Sequence, residues 1–379
     1  MQIHTKHYRI SAAILIALAA VVCVLLSTQF LSMREEEPIY PGEGVTQTRM
    51  LSDWYPAIRG TAGDTEVYVL QGAADGDSML VLGGTHPNEP SGLLSAVMLI
   101  ENAKMETGTL YIIPRTNNSA FTCTDPQEGT PMRFHISTPE GERWFRFGSR
   151  ATNPIHQWPD PEIYVHASSG QRLSGSETRN INRSYPGRTD GNFTESISYA
   201  ITQLIQQEGV DITIDLHEAS PEYPTINAVV AHEDAMELAS WALLGMQMEG
   251  MDIALEPSPK NLHGLTHREL GDYTDTLAVL METANASQGR LRGKTDERLI
   301  VEGKDKFYVR AAQYGRLYVP FDENGHPLSE RVARHTTGIL QFAQAYNDLG
   351  LGTIQITGMP TFVEMQTDLG PYLIPKAKN

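Results

Sequence analysis

His86 and Glu89 stand three residues apart in "GGTHPNEPSG", directly after the apolar run Met79-Leu80-Val81-Leu82. A turn after a buried strand calls for the glycines and prolines. It has no use for an imidazole and a carboxylate at that spacing. Three later stretches carry more chemistry: "ETRNINRSYPG" with Asn182 and Arg183, "TIDLHEAS" with His217, and "VLMETAN" with Glu282. Two imidazoles and one carboxylate are the donor set of a catalytic zinc ion, which takes three protein ligands and keeps a fourth position open. His86, Glu89 and His217 are therefore candidate ligands for one Zn2+ per chain. Glu282 would be free to take a proton from water and return it to a leaving amine. The guanidinium of Arg183, beside Asn182, can hold both oxygens of a substrate carboxylate. A second arginine could stabilise the oxyanion of a tetrahedral intermediate.

Taken singly, each feature has a plainer reading. His-x-x-Glu is a weak pattern, His217 could be a satisfied core histidine, and Glu282 could mark the end of a strand. Asn182-Arg183 could be a surface turn before Pro186-Gly187. Their joint placement argues otherwise. Short apolar runs at 66–71, 79–82, 109–113, 212–214, 226–230 and 277–281 read as strands. Helical periodicity runs through 90–104, 193–207, about 235–248 and 331–346, with Gly209 stopping the second helix and Ser329 as a plausible N-cap of the last. This alternation predicts a three-layer α/β/α domain with a mixed, largely parallel central sheet. In such a sheet the ligand site lies beyond the carboxyl ends of the strands, where strand order reverses. His86, His217 and Glu282 all follow predicted strands. Residues 117–179 break the rhythm, and an insert that long should be a lid or pocket wall. Trp144, Phe145 and Phe147 within it read as part of a lid or as a small satellite core.

The chain has 379 residues and a formal net charge of −17, so binding to nucleic acid is excluded as a working class. Two cysteines, Cys23 and Cys123, give no disulfide framework and no thiolate metal site. No residue from Ile10 to Met33 is charged. That segment is long enough to cross a bilayer as a helix. Lys6 and Arg9 precede it and Glu35 to Glu37 follow, which keeps positive charge inside and puts the rest of the chain outside the cytoplasm. Residues 1–33 read as a membrane anchor, or alternatively as a signal segment whose cleavage would release a secreted protein. Residues 34–58 read as a linker, 59–350 as the catalytic domain, and 351–379 as a C-terminal extension packing on it.

The order His-x-x-Glu, Asn-Arg before an aromatic-Pro-Gly, Asp-Leu-His and a late Glu resembles the zinc carboxypeptidase superfamily. "GGTHPNEPSG" and "NINRSYPG" are most similar to its succinylglutamate desuccinylase/aspartoacylase branch. The resemblance covers roughly residues 60–350. It implies that His86, Glu89 and His217 ligate zinc, that Asn182 and Arg183 bind a substrate carboxylate, and that Glu282 is the general base and acid. There are departures: the family's Asp before Asn-Arg is Asn180 here, and the Gly after the first His is Pro87. For the oxyanion arginine the candidates are Arg179 and Arg172, with Arg179 preferred for its place beside the motif. His263, His267 and Arg268 are candidate pocket residues or a polar helix start. Tyr273 is a candidate for a phenol near the scissile bond. Arg290, Arg292, Lys294 and Arg298 form either a solvated face or a carboxylate- or phosphate-binding patch. The expected function is a zinc-dependent amide hydrolase of N-acyl amino acids or related carboxylate-bearing amides. The alternatives are an extracytoplasmic metallocarboxypeptidase acting on peptides or cell-wall fragments, and a non-catalytic membrane-tethered binding module. A serine hydrolase is disfavoured by the lack of a Gly-x-Ser-x-Gly elbow.

Overall fold

A computed structural model describes residues 2–125 and 128–373. The last six residues of the expected C-terminal extension, 374–379, lie outside the described residues, as do 126 and 127 within the insert. The chain divides into an N-terminal unit reaching to Glu37 and a body from Pro38 onward. The N-terminal unit holds helix α1, Gln2–Ser32. Its stretch His7–Ser32 is long and apolar enough to cross a membrane, a property that anchors and signal segments share.

The body is built on a nine-stranded sheet. Its strands are β1 (Gln47–Met50), β2 (Glu66–Gln71), β3 (Ala74–Leu82) and β4 (Lys104–Ile113). After two short hairpins, β5 (Arg133–Thr138) with β6 (Gly141–Arg146) and β7 (Ile163–Val165) with β8 (Arg172–Ser174), the sheet continues. Its further strands are β9 (Ile212–Ala219), β10 (Ala228–Ala231), β11 (Ala254–Pro257), β12 (Leu277–Ala284) and β13 (Gln355–Thr357). The strand order is β1-β2-β4-β3-β9-β12-β10-β11, with β13 also on β4. The central pairs β4/β3, β3/β9 and β9/β12 are parallel, and the pairs β1/β2, β2/β4, β12/β10 and β13/β4 are antiparallel.

Helices cover both faces. They are α2 (Pro90–Asn102), α3 (Phe193–Glu208), α4 (Met236–Met248), α5 (Thr266–Tyr273), α6 (Glu297–Glu302), α7 (Lys306–Gln313), α8 (Leu328–Asp348) and α9 (Phe362–Thr367). The alternation along β3 shows how the layers form. Met79 and Val81 pack with α2, α4, α8 and α9, whereas Leu80 and Leu82 pack with α3 and α5 on the other face. A strand buried on both faces reads as a continuous apolar run, which is why "MLVL" shows no period of two. Helix α3 has a clear start and stop. Asn192 and Glu195 form a capping box, and Gly209 takes the left-handed conformation that ends it.

Two expectations are corrected by packing. Residues 47–58 are part of the body rather than of a linker. Strand β1 pairs with β2, and Leu51, Trp54 and Ile58 are buried against α3. The polar, Pro-rich composition around them hides three apolar anchors spaced too widely to show a period. In the insert, Phe145 and Phe147 do not form a lid: they lie in the main core with Phe134 and Phe121.

Candidate active site

Strand order reverses at β3, which has β4 on one side and β9 on the other. The turn after β3 is forced tight by two glycines. Gly84 has φ +64, and a Cβ there would sit 2.7 Å from the Phe121 ring. A Cβ on Gly92 would sit 2.7 Å from the carbonyl oxygen of Leu216 on β9. Helix α2 can therefore start hard against β9, which places Glu89, at its N-cap position, beside His217. In the register of parallel β9 and β12, His217 is the partner of Glu282. The fold thus brings His86, Glu89, His217 and Glu282 to the carboxyl ends of three adjacent strands.

The geometry of the first three is specific. The ligating atoms of His86, Glu89 and His217 lie within 4.8 Å of one another, and all three residues are buried. Glu89 Oε1 is 2.9 Å from His86 Nδ1, and its Oε2 is 2.9 Å from His217 Nδ1. Each imidazole is held from behind through Nε2, His86 by Asn180 Oδ1 at 2.9 Å and His217 by Asp215 Oδ2 at 2.7 Å. Asp215 also accepts from the Thr85 and Thr266 hydroxyls, both at 2.6 Å. A metal-binding imidazole is usually oriented in this way, with its far nitrogen donating to a carboxylate or carbonyl.

The donor chemistry fits a cation. Asn180 Oδ1 already accepts the Asn182 backbone N–H, so it is an acceptor, and His86 Nε2 must carry the proton between them. A neutral His86 then turns a bare Nδ1 lone pair toward a carboxylate oxygen. Burial, and next the Arg150 guanidinium, hold His86 below its ordinary pKa, which disfavours a second proton on the ring. Two acceptors face to face are satisfied by a cation between them. Around His217 burial again opposes charge, but Asp215 and Glu89 outweigh it and hold the imidazole well above its usual value. Burial likewise opposes the charge of Glu89, and the two imidazoles overcome it and keep the carboxylate ionised.

Glu282 has a different environment. Its Oε2 is buried with no hydrogen-bond partner among the described residues. Burial pushes its pKa up to about 8, against the pull of His217. It lines an open cavity of about 790 Å³ with Glu89, Asn182, Arg183, His217, Arg150 and Arg290. Asn182 and Arg183 sit in a 3-10 turn. The Asn182 Oδ1 is taken by the Thr266 N–H at 2.9 Å. Arg183 is mostly buried, with Glu177 3.7 Å from its guanidinium.

Arg150, in the insert, is not singled out by any motif, yet it reaches the site. Its Nη1 donates to Glu89 Oε1 at 3.0 Å, and its side chain is 42% exposed into the cavity. The preferred Arg179 does not line this cavity. Its guanidinium is clamped on Asp160 at 2.7 and 2.8 Å and donates to the Thr152 carbonyl. Arg172 is exposed on β8 and does not line the cavity either. His267 lines the cavity, whereas His263 does not and instead contacts Glu269 at 2.8 Å. Arg268 is paired with Glu233 and Asp272. Tyr273 borders a separate cavity of about 420 Å³ behind Pro186. Asp215 was legible in part, since it precedes His217 by two residues and so shares its face of the strand.

No protein-family model and no curated protein sequence matches the chain. Solved structures do match it. Tripeptide-bound cell shape determinant Csd4 from Helicobacter pylori is 11% identical over 80% of this chain and 59% of that one, with a TM-score of 0.47. A metallo-carboxypeptidase from Burkholderia cenocepacia is 11% identical over 84% of this chain and 68% of that one, with a TM-score of 0.44. The product-bound ectoine utilization protein EutE (DoeB) from Ruegeria pomeroyi is 19% identical over 60% of this chain, with a TM-score of 0.37, and the chain spans 55% of its length.

Proposed function

We propose that the protein is a zinc-dependent amide hydrolase whose substrate carries a free carboxylate, with N-acyl amino acids as the leading class. The observation that carries this reading is the convergence of two imidazole Nδ1 atoms on one carboxylate, each ring anchored through Nε2. His86, His217 and Glu89 would hold the metal. Zinc bound there supplies a Lewis acid and lowers the pKa of a water molecule. Glu282 takes a proton from water and gives it to the leaving amine. A carboxyl whose pKa is about 8 can change protonation state near neutral pH, as both steps require. Arg150 offers N–H donors to the oxygen of the scissile carbonyl, and Asn182 with Arg183 grips the free carboxylate. Asp215 and Asn180 fix the tautomers and ring planes of the two histidines.

A second reading, a carboxypeptidase acting on peptides or cell-wall fragments, is favoured by the size of the cavity, about 790 Å³ and open to solvent. Helix α1 would hold the body outside the cytoplasm, because Arg9 precedes the apolar span and Glu35 to Glu37 follow it. Metal analysis of the purified chain, combined with hydrolysis of N-acyl amino acids and of short peptides, tests the proposal. One zinc per chain with release of amine from either panel supports it. A chain that takes up no zinc refutes it, and one that binds zinc but cleaves neither panel is a binding module.

A further inference from the structure

The chain is strongly acidic, yet residues 290–316 hold eight Lys or Arg against four Asp or Glu. The acids in this stretch are already occupied. Asp296 caps α6 by accepting the Leu299 N–H at 3.0 Å. Asp305 accepts the N–H groups of Phe307, Tyr308 and Gly293. Glu297 accepts the His135 N–H at 2.8 Å, and Glu302 pairs with Arg298 and Lys304. Glu222, in the cavity lining, accepts the Arg290 backbone N–H and the Tyr308 hydroxyl instead of pairing with the Arg290 guanidinium.

What remains is Arg290, Lys294, Lys306, Arg310 and Arg316, none with a carboxylate partner among the described residues. Their state contrasts with Arg49, Arg115, Arg143, Arg179, Arg188 and Arg268, each paired with an acid. All five are exposed. Arg290 lines the same cavity as Arg183 and Glu282. The far end of the segment is tied to the cavity wall, where the Tyr318 N–H donates to the Pro221 carbonyl at 2.9 Å. Exposed cations without ion-pair partners, on a segment that begins in the cavity lining at Arg290, raise the local concentration of anions in a protein of opposite overall charge.

We propose that residues 290–316 form an anion-reading rim that carries the outer part of an extended acidic substrate, a peptide or peptide-like chain with negative groups beyond the one held inside the cavity. This rests on the hydrolase reading above. A membrane surface is the rival occupant, because Phe307, Tyr314 and Tyr318 are exposed among the cations. The acidic chain is favoured because Arg290 belongs both to the rim and to the cavity lining, which a flat bilayer would not enter.

The test is fluorescence anisotropy of a labelled deca-glutamate peptide with the full chain in detergent micelles, with and without zinc. A neutral Gly-Ser peptide is the control. Wild type should bind the acidic peptide, more weakly as salt rises. A triple variant, Lys306→Gln with Arg310→Gln and Arg316→Gln, should bind roughly tenfold more weakly, and Arg290→Gln alone should also weaken it. Equal binding by wild type and the triple variant overturns the proposal. So does protection of the 290–316 segment from trypsin by nanodiscs of anionic lipid when the peptide gives none. Binding is read without catalysis. Failure of the hydrolase reading would therefore appear separately, as absent zinc or absent cleavage, while the peptide result stands by itself.

Discussion

Among its described residues the body contains two His-His-Glu groups close enough to hold a metal: His86, Glu89 and His217, and also His166, His263 and Glu269. They differ in which atoms are left over. In the first group each ring is anchored through Nε2 and turns Nδ1 inward. In the second, both nitrogens of His166 are bonded outside the group. Its Nε2 bonds the Tyr185 carbonyl at 2.7 Å, and its Nδ1 bonds the Ser169 hydroxyl at 2.8 Å. The His166 and His263 rings stack with centroids 6.0 Å apart instead of presenting nitrogens to a common point. Glu269 is held by His263 Nδ1 and the Gly264 N–H. This second group is a brace. It fastens the β7–β8 hairpin and the 263–264 loop onto the turn that carries Asn182 and Arg183. Composition and proximity are therefore not enough to make a metal site. What matters is whether the inward ring nitrogens meet on the group's own carboxylate, as on Glu89, or are spent on partners outside it.

The sharpest way to break this comparison is metal content. His217→Ala should lose most of its bound zinc, because two remaining ligands rarely hold a catalytic ion well. His166→Ala should keep one zinc per chain. Full zinc in the first variant, or loss in the second with folding intact by circular dichroism, would reverse the assignment. Asp215→Ala should fall between them, with affinity lowered about 10–100-fold, the usual effect of removing a carboxylate behind a ligating histidine.

The first group was legible in the sequence and the second was not, for a physical reason. His86, Glu89, His217 and Glu282 each follow or end an apolar run, and a parallel sheet collects such positions at one edge. Asp215 could be reached from the two-residue repeat of a strand. Arg150 could not. It comes from an insert with several arginines, and only its tertiary partner Glu89 distinguishes it from Arg179, which has Asp160. The same non-local pairing removes His263 and Tyr273 from the site, and it turns the expected linker at 47–58 into a sheet edge.

Glu282 sharpens the contrast further, since among the described residues only the first group has a buried carboxylate oxygen left unpartnered beside it. Glu282→Gln should retain zinc and lose ~10²–10⁴ in turnover. It also bears on stability. In the zinc-free protein burial holds the carboxyl protonated up to about pH 8, while the unfolded chain loses that proton near the ordinary carboxyl value of 4.5. Between those values the native state binds the extra proton, so the contribution of Glu282 to stability falls as pH rises. Urea titrations of the zinc-free chain across this window should show a decline that is flatter in Glu282→Gln. An equal slope in both would mean that the carboxyl is already ionised.

Arg150 and Arg179 repeat the comparison at the level of one residue type, an open guanidinium against a committed one. If Arg150 stabilises the oxyanion, Arg150→Gln should lower kcat by about 10²–10³, the usual cost of one such donor. Arg179→Gln should leave kcat per folded molecule nearly unchanged and show itself in thermal stability, because it strips Asp160 of a clamped partner. A kcat loss confined to Arg179→Gln would restore the assignment expected from its place beside the motif.

The smallest effect tests whether the brace and the site act on the same substrate group. Arg183 sits between them. Its backbone carbonyl accepts the Tyr164 hydroxyl at 3.2 Å, and a Cβ on Gly264 would sit 2.2 Å from that carbonyl oxygen, so the turn has little room to shift. Its guanidinium lines the cavity, with Nη1 donating to the Asn182 carbonyl at 2.6 Å and Glu177 3.7 Å from Nε. A guanidinium on a rigid backbone, with N–H donors left beyond the one on the Asn182 carbonyl, can read a carboxylate by two hydrogen bonds, and a lysine cannot reproduce that. The contact is worth on the order of 1.5–3 kcal/mol, or roughly 10–150-fold in kcat/KM. Wild type should prefer a substrate with a free carboxylate to its neutral amide. Arg183→Lys should lose activity on the acid and barely change on the amide. His166→Ala, which loosens the turn without touching the guanidinium, should reduce both substrates alike. If Arg183→Lys also reduces both alike, with zinc retained, then Arg183 belongs to the brace and the substrate carboxylate is read elsewhere in the cavity.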